Sequence, residues 1–326
     1  MKAKQTIVPH LWFDKEAREA AEFYCSALSA LAEGNGAGKG LPGSAIANVT
    51  TLEGTPSGSV DHVSFDLAGH QFMAISAGPH FRLNPSVSFM LNFDPIRYSG
   101  DEAAQRSGAR EDLDTLWEKL SDGGTALMPL DKYAFSERYG WVQDKYGVSW
   151  QLILSDAEGE ERPFIIPSLL FTGAVCGKAE EATEFYLSVF KNAERGLMAR
   201  YPAEMEPDKE GTVMFTDFIL EGRWFAAMDS AQDHRFSFNE AISFVVYCDT
   251  QDEIDAYWSK LSAVPEAEQC GWVKDAYGVS WQIVPRVMDE MMSRGTREQV
   301  ARVTRAFLPM KKLNILKLQE AYDKGK

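Results

Sequence analysis

Apolar positions along this chain alternate between two periods. Residues 8–13 form a short β-like run. After it, Ala20, Phe23, Tyr24, Ala27, Leu28 and Leu31 recur at helical spacing, with Asp14 placed to cap the helix. Strand-like stretches follow at 45–52, 60–67 and 71–76. A second unit repeats the order: a strand at 87–93, a helix at 112–120, then strands near Ala126 and Trp141 and at 148–154. Residues 95–111 and 128–139 read as long surface loops. The pattern is βαβββ twice, and it predicts a sheet covered on one face by helices, with its other face curled around a cleft.

The whole pattern then recurs. Gly140-Trp141-Val142-Gln143-Asp144-Lys145-Tyr146-Gly147-Val148-Ser149-Trp150-Gln151 returns from Gly271 to Gln282 with ten of twelve positions identical. Glu19-Ala20-Ala21-Glu22-Phe23-Tyr24 returns at 181–186, and Asp114 to Leu120 returns at 255–261. The offset falls from 162 at Phe23 to 131 at Trp141 and holds within each motif, as when insertions fall in loops. The chain is a tandem duplication. The domains expected are 1–157, 158–287 and a helical tail at 288–326. Each copy is expected to close its own eight-stranded sheet, and the two to pack as an internal pseudo-dimer. In the tail, Thr296 and Gln299 have capping-box spacing ahead of Val300, Val303 and Phe307, and the helix reads as a clamp on its own chain.

Composition narrows the partners. The chain has 326 residues, 45 % of them hydrophobic, and a net charge of −15. An acidic chain without a basic stripe argues against nucleic acid and anionic membranes, and no run reaches the length of a membrane span. The N-terminus enters a strand without a signal-peptide pattern, so a cytoplasmic location is expected. The four cysteines show no CxxC spacing and read as reduced packing residues. Gly38 to Gly43 matches GxGxxG but follows a helix, contains Pro42 and opens no helix, so it reads as a loop.

The Glu-Phe-Tyr after the first strand, Phe238 to Ser243, the Asp-x-x-Trp-x-Lys-Leu run and Asp-x-Tyr-Gly-Val-Ser-Trp-Gln resemble the vicinal oxygen chelate (VOC) superfamily of glyoxalase I and the bleomycin-resistance proteins. Within it they resemble the PhnB-like, 3-demethylubiquinone 3-methyltransferase-type group. The resemblance implies an α+β fold of two tandem domains, each a pair of βαβββ modules around a cleft. It also implies that metal ligands, where present, fall on the first, fourth, fifth and eighth strands. Those positions hold His10, Ser88 and Gln151 in copy one, with Ser76 or Ala74 on the fourth strand. In copy two they hold Ser168, Asp229, Ser243 and Gln282. Only His10 with Gln151, or Asp229 with Gln282, are credible donors, and catalytic sites usually need three. No cofactor is therefore expected. No glycine-rich turn of a nucleotide-binding methyltransferase is present.

The same positions remain pocket candidates for a small molecule: His10, Trp12, Ser88, Ser149, Gln151, Ser168, Asp229, Ser243 and Gln282. Alternation on the last strand puts Ser149, Gln151 and Ile153 on one face and Trp150, Leu152 and Leu154 on the other; with Gln151 toward the cleft Trp150 packs under the helices, so Trp150 and Trp281 read as core pillars. His62, with Ser64 and Asp66 on its side of the strand, reads as a solvated face. The inserted 133–139 segment is expected to close the copy-one cleft, giving that copy the better-enclosed pocket. The function expected is small-molecule binding or sequestration. The alternatives are a metal-dependent isomerase, lyase or dioxygenase, and a pseudo-dimeric interaction protein.

Overall fold

A computed structural model describes residues 5–33, 41–156 and 162–324. Gly38 to Gly40 of the GxGxxG match lie outside the described residues; the remainder of it is irregular chain leading into a strand. The first module comprises β1 (Ile7–Phe13), α1 (Ala17–Glu33), β2 (Ala45–Thr55), β3 (Gly58–Leu67) and β4 (His70–Ser76). The second comprises β5 (Val87–Phe93), α2 (Glu102–Ser121), β6 (Thr125–Tyr133), β7 (Ser136–Gln143) and β8 (Ser149–Leu154). Copy two supplies β9 (Ile165–Phe171), α3 (Ala179–Val189), β10 (Glu194–Arg200), β11 (Val213–Leu220) and β12 (Arg223–Asp229). It then adds β13 (Ile242–Cys248), α4 (Gln251–Leu261), β14 (Trp272–Lys274) and β15 (Ser280–Pro285). The tail folds as α5 (Arg286–Arg294), α6 (Arg297–Phe307) and α7 (Ile315–Asp323). The α+β class, the paired modules and the C-terminal helices are as expected.

Both segments expected as long loops carry regular structure. Asp101 caps α2 by accepting from the Ala104 N–H at 2.9 Å, and the good helix formers of 102–111 extend the helix ahead of its expected start. Residues 125–143 form a β-hairpin whose tip stacks Tyr133 on Phe135.

The connectivity differs from expectation in one respect. The strand orders are β14-β15-β13-β1-β4-β3-β2 in a first sheet and β10-β11-β12-β9-β5-β8-β7-β6 in a second. β1 pairs antiparallel with β13, placing His10 opposite Ser243, and β5 pairs antiparallel with β9, placing Ser88 opposite Ser168. Each sheet thus combines one module from each copy, and neither copy closes a sheet of its own. The two junctions are equivalent, since β1 corresponds to β9 and β13 to β5.

The aromatic pairs that anchor the helices nevertheless stay within the copies, while Phe93 meets Phe164 across the junction at 5.3 Å. On the helix-covered faces, Phe72 of the first sheet meets Phe89 of the second, and Tyr24 of α1 meets Trp150 of β8 at 5.2 Å. Copy two repeats this with Phe225 and Phe244, and with Tyr186 and Trp281 at 5.5 Å. Trp150 and Trp281 are fully buried pillars. The repeated phrase holds them in place. Asp275 accepts from the backbone N–H groups of Tyr277 and Val279, from Trp281 Nε1 at 2.9 Å and from Tyr186 Oη at 2.8 Å. Asp144 does the same for Tyr146, Val148 and Trp150. Gly147 and Gly278 complete these turns at φ +93°, which a side chain would strain.

The tail runs directly from β15. Its capping box is formed by Thr296 and Gln299, and Met291, Val303, Phe307, Leu313 and Leu318 bury against one another. Burial of such side chains is worth roughly 1.5–3 kcal/mol each, more than the tail's exposed ion pairs at about 0–1 kcal/mol. Cys270 and Gly271 donate backbone N–H groups to Met310 and Lys311 at 2.7 and 2.8 Å. The tail clamps its own chain, as expected, and α6 also spans to β2, so the same helices roof the open face of the first sheet.

Candidate functional site

Beneath that roof lies a cavity of about 230 Å3. Alternation along β1 turns His10 and Trp12 into it, while Leu11 and Phe13 face the helices. β3 supplies His62, β14 supplies Trp272 and β15 supplies Gln282; Met288, Met292 and Phe307 close it from the tail. His10 therefore shares a cleft with Gln282 of the other copy, and Gln151 lies in the second sheet.

The His10 and His62 rings stack at 5.6 Å, and Trp272 meets His10 edge-on at 5.9 Å. Trp12 is fixed by its Nε1–H to the Gly78 carbonyl at 2.7 Å and stands edge-on to Trp272 at 6.3 Å. Burial holds the His10 imidazole well below its ordinary range, with the neighbouring His62 adding to the effect; burial alone pushes His62 down to about 4. Both rings are neutral near pH 7, offering one N–H and one lone pair each. His10 Nδ1 is buried without a partner. Gln282 donates Nε2–H to Ser243 Oγ at 2.9 Å, while its Oε1 has no protein partner among the described residues. Among the described residues the one aspartate, glutamate, lysine or arginine lining the cavity is Asp289, which accepts from Tyr247 Oη at 3.4 Å.

The second sheet carries the same positions in a closed state. Gln151 donates to Ser88 Oγ at 2.7 Å and accepts from Tyr139 Oη at 2.8 Å, so both ends of its amide are bound. Trp141 Nε1 donates to Ser149 Oγ at 2.7 Å. Met90, Ile166 and Ala226, with Ile153, Phe215 and Trp224, fill the volume. Ser168, at the position of His10, is buried there with an unpartnered hydroxyl. In the first sheet Cys270 stands where copy one has Tyr139, and the Ser280 hydroxyl lacks the indole partner that Ser149 has. The better-enclosed pocket is thus beside Gln282, the reverse of the expectation. The 133–139 segment closes the Gln151 cleft by plugging it.

Asp229 lies on the helix-covered face beside Phe225 and Ala227, away from both clefts. It accepts from the backbone N–H groups of Gly177 at 2.7 Å, Ala179 at 3.1 Å and Val213 at 3.0 Å. Its counterpart Ser76 accepts from Ala17 N–H at 3.1 Å, so both tie the fourth strand of a module to its helix. The pairing of Asp229 with Gln282, like that of His10 with Gln151, is not realised. His62 is a cavity residue, contrary to its reading as a solvated face. Trp272, Tyr247 and Asp289 were not anticipated; the repeat could have exposed Trp272, which pairs directly across from Gln282.

The first-sheet donors do not fit a divalent ion. The imidazoles lie face to face, so their lone pairs do not converge. No cluster of three histidine, cysteine, aspartate or glutamate side chains is disposed to hold a metal among the described residues. A nucleoside methyl donor fits no better. About 150 Å3 accommodates benzene, so this cavity suits roughly ten heavy atoms.

Similar proteins bear on the whole chain. The family described as 3-demethylubiquinone-9 3-methyltransferase matches residues 5–153 and again 163–284. The PhnB protein of Bacillus cereus is 30 % identical over 46 % of this chain and 100 % of its own, with a TM-score of 0.34. Glyoxalase I of Zea mays is 8 % identical over 90 % of this chain and 98 % of its own, with a TM-score of 0.49. No curated protein matches the chain significantly.

Proposed function

The chain belongs to the 3-demethylubiquinone-9 3-methyltransferase family, and from that premise we propose that it binds a small, uncharged, ring-containing molecule in the first-sheet cleft. One observation carries this reading. In the second sheet both ends of the Gln151 amide are bound and the unpartnered Ser168 hydroxyl meets filled volume, whereas in the first sheet His10 Nδ1 and Gln282 Oε1 are left unpaired beside open volume. An unpaired polar atom in an apolar cavity costs about 1–3 kcal/mol, which a ligand with one donor and one acceptor recovers. Trp12, Trp272 and Tyr247 favour a flat ring. Among the described residues no lysine or arginine lines the cleft, which disfavours anions. Binding needs no resident metal on this reading, and methyl transfer has no support in the donor set.

The test is a titration with 2-naphthol, read through tryptophan fluorescence. Saturable binding is expected, weakened about ten-fold by Gln282→Leu through one lost hydrogen bond and unaffected by Gln151→Leu. Equal sensitivity of the two variants, absence of binding, or one equivalent of metal in protein purified without chelator would overturn the reading.

A further inference from the structure

A second cavity, of about 80 Å3, opens where the two sheets meet. Its walls are paired copy against copy: Ile7 with Ile165, Pro9 with Pro167, and Phe72 with Phe225. The pseudo-twofold axis relating the modules therefore passes through it. The symmetry breaks at three pairs of positions, Gln5 against Pro163, His70 against Arg223 and Gln71 against Trp224, and only the second of them introduces a charge carried at every ordinary pH. Arg223 is the only lysine, arginine, aspartate or glutamate among the lining residues.

The guanidinium offers five N–H donors. Nη2 donates to Gln5 Oε1, and Nη1 lies 3.4 Å from His70 Nδ1, a long contact. Gln5 itself is held by the Gln71 N–H at 2.9 Å and by donating to the Ile7 carbonyl at 2.7 Å, so it is a fixed, neutral partner. The remaining Arg223 donors have no protein acceptor, and Arg223 forms no ion pair among the described residues. The neighbouring cation Arg162 is differently placed: it pairs with Asp217 at 2.8 Å and stacks on Trp224 at 4.5 Å. A half-buried guanidinium whose direct contacts are an amide and an imidazole, with the Asp66 carboxylate acting on it only from beyond ion-pair distance, is left without a paired anion, and a planar carboxylate matches its fork with two parallel bonds. Beyond the guanidinium and the polar side chains of Gln5, His70 and Gln71, the walls are proline, isoleucine, phenylalanine and Trp224, which suit a short alkyl chain.

We propose that this axial cavity is a second ligand site, independent of the cleft, that takes a short-chain monocarboxylate. Its carboxylate lies on Arg223 and its chain rests on the paired prolines and phenylalanines.

The test is saturation-transfer NMR of sodium propionate with the full chain, at ionic strength held constant by sodium chloride. Saturable transfer to the propionate methyl is expected, with affinity falling at least ten-fold in Arg223→Gln and unchanged in Gln282→Leu. Propan-1-ol, which keeps the chain and loses the charge, is expected not to compete. Were Arg223→Gln not to fold, Arg223→Lys keeps the charge but not the fork and is expected to bind several-fold more weakly. No saturable binding, affinity equal to wild type in whichever Arg223 variant folds, loss of binding in Gln282→Leu, or displacement by chloride at equal concentration would each overturn the proposal.

Discussion

His10 is buried and His62 half-buried at the cavity wall, both as neutral rings, which ties the fold's stability to pH. The folded-state pKa of His62 lies at about 4 against an ordinary 6.5, and His10 is shifted the same way. The unfolded chain therefore binds more protons across that interval. Stability from these rings is complete above about 6.5 and falls as pH drops toward about 4. Urea midpoints measured from pH 7.5 to pH 4 should decline, and the decline should be shallower in His62→Asn, which cannot charge. A slope unchanged by that substitution would show that other groups govern it. Legibility at this scale depended on strand parity. Parity groups His10 with Trp12 on one face of the first strand and sets Gln151 opposite Trp150 on the last, which is how these side chains lie. It would have turned Asp229 toward the helices with Phe225 and Ala227, had those neighbours been weighed above its chemistry as a ligand. His62 was misplaced for a related reason: in a curled sheet a polar face can line a cavity and need not meet solvent.

Among the elements, the repeated twelve-residue phrase is a structural device. Its aspartate joins a tight turn to the tryptophan pillar of the following strand and to a tyrosine on a helix. Burial raises the pKa of Asp275 while its four donors oppose the shift. Asp275→Ala would leave the Trp281 and Tyr186 donors and two backbone N–H groups without an acceptor, a loss of about 3–5 kcal/mol. Asp275→Asn keeps one carbonyl acceptor and should cost distinctly less. Urea denaturation of both variants checks this, and equal losses would refute the role assigned to the donors. The near-identity of the two phrases made the turn visible in sequence, but not its partners, since Tyr186 lies 89 positions from Asp275. The tail was legible as a capped amphipathic helix. That it roofs one cleft and not the other could not be read, because no periodicity states which face a helix will cover.

For the molecule as a whole, the exchange of modules between sheets was hidden by the duplication itself. β1 and β9 are alternatives for one role, as are β5 and β13, and their sequences favour neither pairing. The same degeneracy makes a prediction. Residues 1–157 alone present β1 and β5 with their cross-copy partners missing, and β5 of a second molecule is equivalent to β13. The isolated copy should therefore dimerise, restoring both junctions between molecules. Light scattering after size exclusion should give twice the fragment mass, and a folded monomer would show that one copy can close on itself.

The β1–β13 junction also orders events during synthesis. The second sheet is drawn from one continuous stretch, Val87 to Asp229, and can assemble as soon as that stretch leaves the ribosome. The first sheet joins residues on either side of it. At about 5–20 residues per second, Ile7 waits roughly ten to fifty seconds for its partner Val246 to be made. Until then its exposed edge needs shelter from other nascent chains, and the first-sheet cleft is the last part of the protein to exist.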